Sequence, residues 1–145
     1  MEKKHHHCTI MVNISPEEAM KMISRVSEWW ITNVEGSTKK INDVFTVSLG
    51  TTWKKFKITE ILPGKKVVWK ITDCHLPWNS DLTEWKDTEI VWEFSGKGGS
   101  TTINFTHLGL ASLDCGAQCS NAWNSYIKVS LLKLITEGKG LPNKF

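Results

Sequence analysis

The sequence predicts an α+β fold: a curved antiparallel sheet of about six to seven strands wrapped around one long C-terminal helix, with two short helices after the first strand. Three observations predict it. Residues 114–137 (DCGAQCSNAWNSYIKVSLLKLITE) carry apolar side chains at spacings of three and four, at Cys119, Trp123, Tyr126, Ile127, Leu131, Leu134 and Ile135, which draws one wide stripe down a helix. From Asp43 to His107 the apolar period is two, interrupted by turn residues, as in consecutive strands with one buried face. Between these patterns and the N-terminus lies the tetrapeptide Ser15-Pro16-Glu17-Glu18, a capping box with proline at the first helical position.

The elements follow in order. Cys8, Ile10, Val12 and Ile14 alternate with polar residues and make a first strand. The Ser15 cap then starts a helix whose buried face is Ala19, Ile23, Val26 and Trp30, with a break near Ser27 before Trp29-Trp30. Residues 35–42 and 74–87 read as loops. Phe45, Val47 and Leu49 lead to a turn at Gly50; Phe56 and Ile58 lead to a reversal at Pro63-Gly64. Val67, Trp69 and Ile71 come next, then Ile90, Trp92 and Phe94, a hairpin at Gly96 to Gly99, and Ile103, Phe105 and His107. Lys55, Lys57, Lys70, Glu89, Glu93, Thr102 and Asn104 fall on the opposite, solvent face. About 21 helical residues span roughly 30 Å, enough to cross a small domain. Gly138 is placed to end that helix, and Pro142 prevents a restart. The helix is the one element with enough apolar surface to fill the concave side of the sheet, so the architecture is a grip.

A chain of 145 residues reads as one domain over 1–145, with its core at about 8–142, and buries roughly 70% of its unfolded surface. Eight Trp in that length is far above ordinary usage. The net charge of +3 comes almost wholly from dispersed lysines, with Arg25 the single arginine. That pattern lacks the clustered arginines of a phosphate-reading surface and argues against a nucleic-acid partner. No apolar run reaches the roughly 20 residues that cross a bilayer, and the N-terminus carries no signal-like apolar region, so membrane insertion is not expected and the expected compartment is the cytoplasm. Cys8, Cys74, Cys115 and Cys119 are accordingly expected to be reduced.

The segments SPEEAM, EWW, VEG, ILPGKKVVWKITD, EWKDTEIVWEF, TTINFTHLGL and CGAQCSNAWNSYIKVSLLKLITEGKGLP resemble small single-domain bacterial relatives of the C-terminal domain of the activator of the ninety-kilodalton heat-shock chaperone's ATPase. That family belongs to the START-like, SRPBCC, birch-pollen-allergen-like helix-grip superfamily. The resemblance runs from about Thr9 to Pro142, and its order of elements agrees with the one just counted. It implies a cavity between sheet and long helix that often takes apolar small molecules, a link to the stress response, and branches in chaperone regulation, toxin resistance, polyketide cyclisation and transport. The two-domain activator has a larger N-terminal domain, which puts a two-domain co-chaperone activity in doubt here.

The leading functional expectation is a non-catalytic binding protein with a hydrophobic, lipid-like ligand and no cofactor. Its cavity is expected to be walled by Trp30, Phe45, Phe56, Trp69, Trp92 and Phe94 and, from the last strand and the helix, by Phe105, His107, Trp123, Tyr126, Ile127 and Leu131; indoles are too large and stiff to close-pack easily around one another. The competing reading of those residues is ordinary core. Two alternatives stand beside it: an interaction protein acting on a chaperone, as monomer or dimer, and a cyclase-like or hydrolase-like enzyme using His107 as acid or base with Glu60 or Tyr126 assisting. Glu60 shares the parity of Phe56 and Ile58, so it is buried unless a bulge turns it to the rim beside a lysine. Cys115 and Cys119, four apart at a helix start, have the spacing of a redox pair or metal clamp, but the matching second knuckle is absent and no metal is expected. Trp53, Trp78 and Trp85 break the inward parity and are candidates to cover the pocket entrance or to form an exposed patch.

Overall fold

The computed structural model describes residues 5–79, 82–110 and 116–142. Seven antiparallel strands form one curved sheet: β1 (His6–Val12), β2 (Val34–Gly36), β3 (Val44–Leu49), β4 (Thr52–Leu62), β5 (Lys66–His75), β6 (Glu89–Lys97) and β7 (Ser100–His107), in the order β1-β7-β6-β5-β4-β3-β2. Two helices, α1 (Pro16–Ser24) and α2 (Val26–Trp29), separate β1 from β2. The long helix runs as α3 (Gly116–Ser125), a π segment (Tyr126–Leu131) and α4 (Leu132–Glu137). This is the helix-grip architecture expected from the hydrophobic pattern.

Local chemistry explains most boundaries. The Ser15 hydroxyl accepts the Glu18 amide at 3.2 Å, and Pro16 occupies the first helical turn. The break between α1 and α2 falls at Arg25, whose ψ of 56° leaves the helical region, two residues before the expected Ser27. Arg25 clamps the break by a double contact to the Glu28 carboxylate, both at 2.6 Å. Strand β2 (Val34–Gly36) overlaps the start of the stretch 35–42 read as a loop; its three residues are too few to show an alternation. Register in β4 slips between Ile58 and Glu60, and this bulge turns Glu60 out to the rim, where its carboxylate lies 3.4 Å from Lys66 Nζ.

The long helix departs from the regular pattern that the sequence suggests. Its buried residues are Cys119, Trp123, Ile127, Ser130, Leu131 and Leu134; Ser130 follows Trp123 by seven and Ile127 by three and so shares their face, while the segment Tyr126–Leu131 carries π hydrogen bonding. Ser130 Oγ donates to the Trp29 carbonyl at 2.6 Å and accepts the Leu141 amide at 2.8 Å. The helix ends at Gly138, left-handed at φ 80°, as expected from its place in the sequence. The tail then folds back so tightly that a Cβ on Gly140 would collide with the Glu28 carbonyl. The expected helix start at residues 114–115 lies outside the described residues. Among those described, no helix is long and apolar enough to cross a membrane.

Candidate functional site

The inward rows of the sheet and the buried face of the helix meet in a continuous aromatic lattice. Phe45 stacks on Phe56 at 4.9 Å and meets Trp69 edge-on at 5.2 Å; Trp69 meets Trp92 at 5.4 Å, and Trp92 meets Phe105 at 4.9 Å. Phe105 continues to Trp123 at 4.7 Å, and Trp123 to Trp30 at 4.7 Å. These are ordinary packing distances for rings. Phe94, Ile127 and Leu131 are buried in the same cluster. The centre of the grip, where the sequence places much of the cavity wall, is therefore filled by the rings themselves. One polar atom in it has no partner among the described residues, the buried Trp92 Nε1.

Space remains at one end of the lattice. A recess of about 370 Å³ opens between α2, the β3–β4 hairpin, the β5–β6 connection and the long helix. Of the residues expected to wall a cavity, Trp30, Trp123 and Tyr126 line it; Ile31, Leu49, Trp78, Trp85 and Ala122 add apolar surface, with Thr52, Lys54 and Cys119. Of the parity-breaking tryptophans, Trp78 is 47% exposed at the rim. Trp53 stacks instead on His75 at 6.5 Å. Trp85 is buried: its ring stacks on Trp123 at 6.0 Å and stands edge-on to His107 at 4.7 Å. With Trp30 and Trp123, which belong to the lattice, it forms the ring wall of the recess.

Lys54 is the residue that sequence reasoning missed. It precedes Phe56 by two and so shares the inward parity of Phe56 and Ile58, a signal present in the sequence but outweighed by the habit of placing lysine in water. Its Nζ lies 4.4 Å from the Trp85 ring centre and 5.4 Å from that of Trp30, within cation–π range of both. Some of the side chain stays open to solvent, but burial of the ammonium pushes its pKa down to about 8, against a small opposing effect of Cys74. No carboxylate pairs with it among the described residues.

His107 points inward as expected and is fully buried. The Thr88 hydroxyl donates to the Trp85 carbonyl at 2.6 Å, so toward His107 Nε2, 2.9 Å away, it can only accept. The imidazole proton is thereby placed on Nε2, and Nδ1 accepts the Trp123 indole N–H at 3.2 Å. Burial, with the charges of Lys54 and His6 adding to it, pushes His107 down to about 3. Both ring nitrogens are committed to structure, which leaves none for a substrate proton. Glu60 is at the opposite end of β4 from Lys54 and paired with Lys66, so the expected assistance of Glu60 to His107 is not assembled. Tyr126 meets Trp30 and Trp123 edge-on at 6.3 and 6.4 Å.

Among the described residues no three His, Cys, Asp or Glu side chains converge as a metal site. Cys8 and Cys74 are free and buried, and burial raises both thiols above their ordinary range. Cys119 is disulfide-bonded, which corrects the expectation of a reduced thiol there; a helix start favours the thiolate and so eases oxidation. Cys115 is outside the described residues. A second recess, about 540 Å³, lies between α1 and the β4–β5 turn, over Ile23, Ile58, Ile61 and Val67. The charged groups at its edge include Arg25, already paired with Glu28, and it has no aromatic wall.

No protein-family model matches the chain, and no curated protein matches it in sequence. Solved structures do match in fold. The Aha1 dimer protein from Colwellia psychrerythraea superposes with a TM-score of 0.78 at 23% identity, over 94% of this chain and 99% of that one. DynU16, a protein of the dynemicin biosynthetic locus, gives 0.71 at 13% identity over 94% of this chain and 48% of its own length. CalU16 from Micromonospora echinospora gives 0.66 at 13% identity, over 92% and 76%. The fold resemblance drawn from the sequence is thus shared with solved helix-grip proteins, Aha1 among them.

Proposed function

We propose that this chain is a non-catalytic carrier or sensor of an apolar small molecule, held in the recess that Lys54 and Trp85 define. One observation carries the reading: beside a lattice otherwise closed by ring-on-ring packing, a recess of about 370 Å³ persists, walled by Trp30, Trp78, Trp85, Trp123 and Tyr126. Small-molecule sites are concave, mostly apolar and sparing in polar groups, typically about 300–1,000 Å³. The engagement of both His107 nitrogens supports a binding role over an enzymatic one. A neutral fluorescent probe such as N-phenyl-1-naphthylamine is expected to bind stoichiometrically and quench tryptophan emission. Ala122→Trp, which fills the recess from an exposed helical position, is expected to weaken that binding at least tenfold with little loss of stability. A probe that does not bind, or binds Ala122→Trp equally well, overturns the reading.

The likeness to an Aha1 protein over nearly the whole chain favours one second reading, an interaction protein acting on a chaperone as a monomer or dimer. A chaperone ATPase rate unaffected by the protein, together with no measurable association, removes it.

A further inference from the structure

We infer that the recess selects ligands with a single anionic head, an apolar monocarboxylate whose carboxylate pairs with the Lys54 ammonium and whose body lies against the indoles. This rests on the binding reading above and adds the chemical class of the ligand. The argument begins with an imbalance. An ammonium removed from water loses hydration that ring faces replace only in part, since a cation–π contact contributes about 0.5–2 kcal/mol. Lys54 has two such contacts, to Trp85 and Trp30, and no anion among the described residues. A carboxylate arriving with a ligand supplies the missing partner in a site whose low dielectric strengthens the pair.

The surroundings fix the class further. The titratable groups facing Lys54 are Cys74, its cross-strand partner on β5, His107 from β7 and Tyr126 from the long helix. Cys74 is kept as thiol and His107 as neutral imidazole by burial, so among these groups Lys54 is the one that carries a charge near pH 7. A phosphate or sulfate head calls for several donors, usually an arginine fork, and the recess lining has no arginine. A cationic head meets repulsion. Thr52, also on the lining, carries a hydroxyl that suits a carboxylate oxygen.

The test compares dodecanoate with dodecanol, below their micelle and solubility limits, by calorimetry and tryptophan quenching. In the wild-type protein the carboxylate is expected to bind about tenfold tighter than the alcohol, in the usual range of a charge-assisted contact. The ratio is expected to fall to about one in Lys54→Met and to persist in Lys54→Arg. In the wild-type protein it also decays as pH rises from 7 to 10, because the ammonium loses its proton near pH 8 while the alcohol stays uncharged. That pH profile needs no variant and serves if Lys54→Met fails to fold. Equal binding of acid and alcohol at pH 7, or a preference unchanged at pH 10 and in Lys54→Met, overturns the inference and leaves the binding reading standing. Failure of both ligands to bind overturns both.

Discussion

His107 shows how one buried side chain can be functional in appearance and structural in fact. Its proton sits on Nε2 because Thr88 has already given its own to the Trp85 carbonyl, and Nδ1 holds the Trp123 indole. Protonating it would set two N–H donors against each other across a 3.2 Å contact, on a ring with no solvent exposure. Its pKa is therefore about 3, against 6.5 when unfolded. Between those values the unfolded chain holds the extra proton, so stability is complete above pH 6.5 and falls as pH drops, by about 1.4 kcal/mol per unit for a fully buried group. The partly buried His6, also lowered chiefly by burial, acts in the same direction. Urea unfolding at pH 7.0, 5.5 and 4.5 is expected to show this decline, and His107→Gln to flatten it by roughly that slope while lowering stability at pH 7. A wild-type slope equal to that of the variant refutes the assignment. Ser130 gives a second test at this scale. Removing its hydroxyl in Ser130→Ala orphans the Trp29 carbonyl and the Leu141 amide, and chemical denaturation is expected to register a loss of about 1–3 kcal/mol.

Among the elements, legibility in the sequence follows the strength of the periodic signal. Strands β3 to β7 alternate over six to eleven residues, and each inward row was readable, as were the Ser15 cap and the Gly138 stop. Strand β2 was not, because three residues make no period and their order depends on pairing with β3. The π segment was hidden for a different reason. The buried stripe through it, Trp123, Ile127, Ser130, Leu131 and Leu134, advances by threes and fours as in any α-helix, so nothing in the spacing marks the wider turn. The site was half legible: Trp30, Trp123 and Tyr126 announced themselves by parity, whereas Trp85 reaches the interior from a connection that has no period at all. That connection is anchored by the Leu76 amide on the Leu82 carbonyl and the Asp87 amide on the Ile71 carbonyl, both at 2.8 Å. Trp85→Ala leaves these bonds in place and removes one of the indoles that wall the recess. Thermal and chemical unfolding should then show a loss of about 3–5 kcal/mol, the usual result of deleting a buried aromatic. A loss under 1 kcal/mol would mean that the indole is not packed as its contacts with Trp123 and His107 describe.

At the scale of the molecule, the grip separates two jobs that a hollow version of the same architecture would combine. The lattice from Phe45 through Trp92 to Trp123 supplies cohesion, and the recess beyond Trp85 is the part left for a guest. A guest is then limited in length, because the packed rings of Trp30, Trp85 and Trp123 stand between the recess and the interior. A series of straight-chain alcohols measures that limit directly. Each methylene that reaches apolar wall contributes about 0.8 kcal/mol, roughly fourfold in affinity, until about 370 Å³ is filled; further methylenes project past Trp78 into water and add little. The affinity plot should therefore rise and break. In Trp85→Ala, where part of that ring wall is gone and the recess is larger, the break should move to longer chains while the slope below it stays the same, because the outer walls are unaltered. A plot that climbs without a break in the wild-type protein would place the guest in the interior, among the rings that here touch one another, and the division between cohesive lattice and open recess would be wrong.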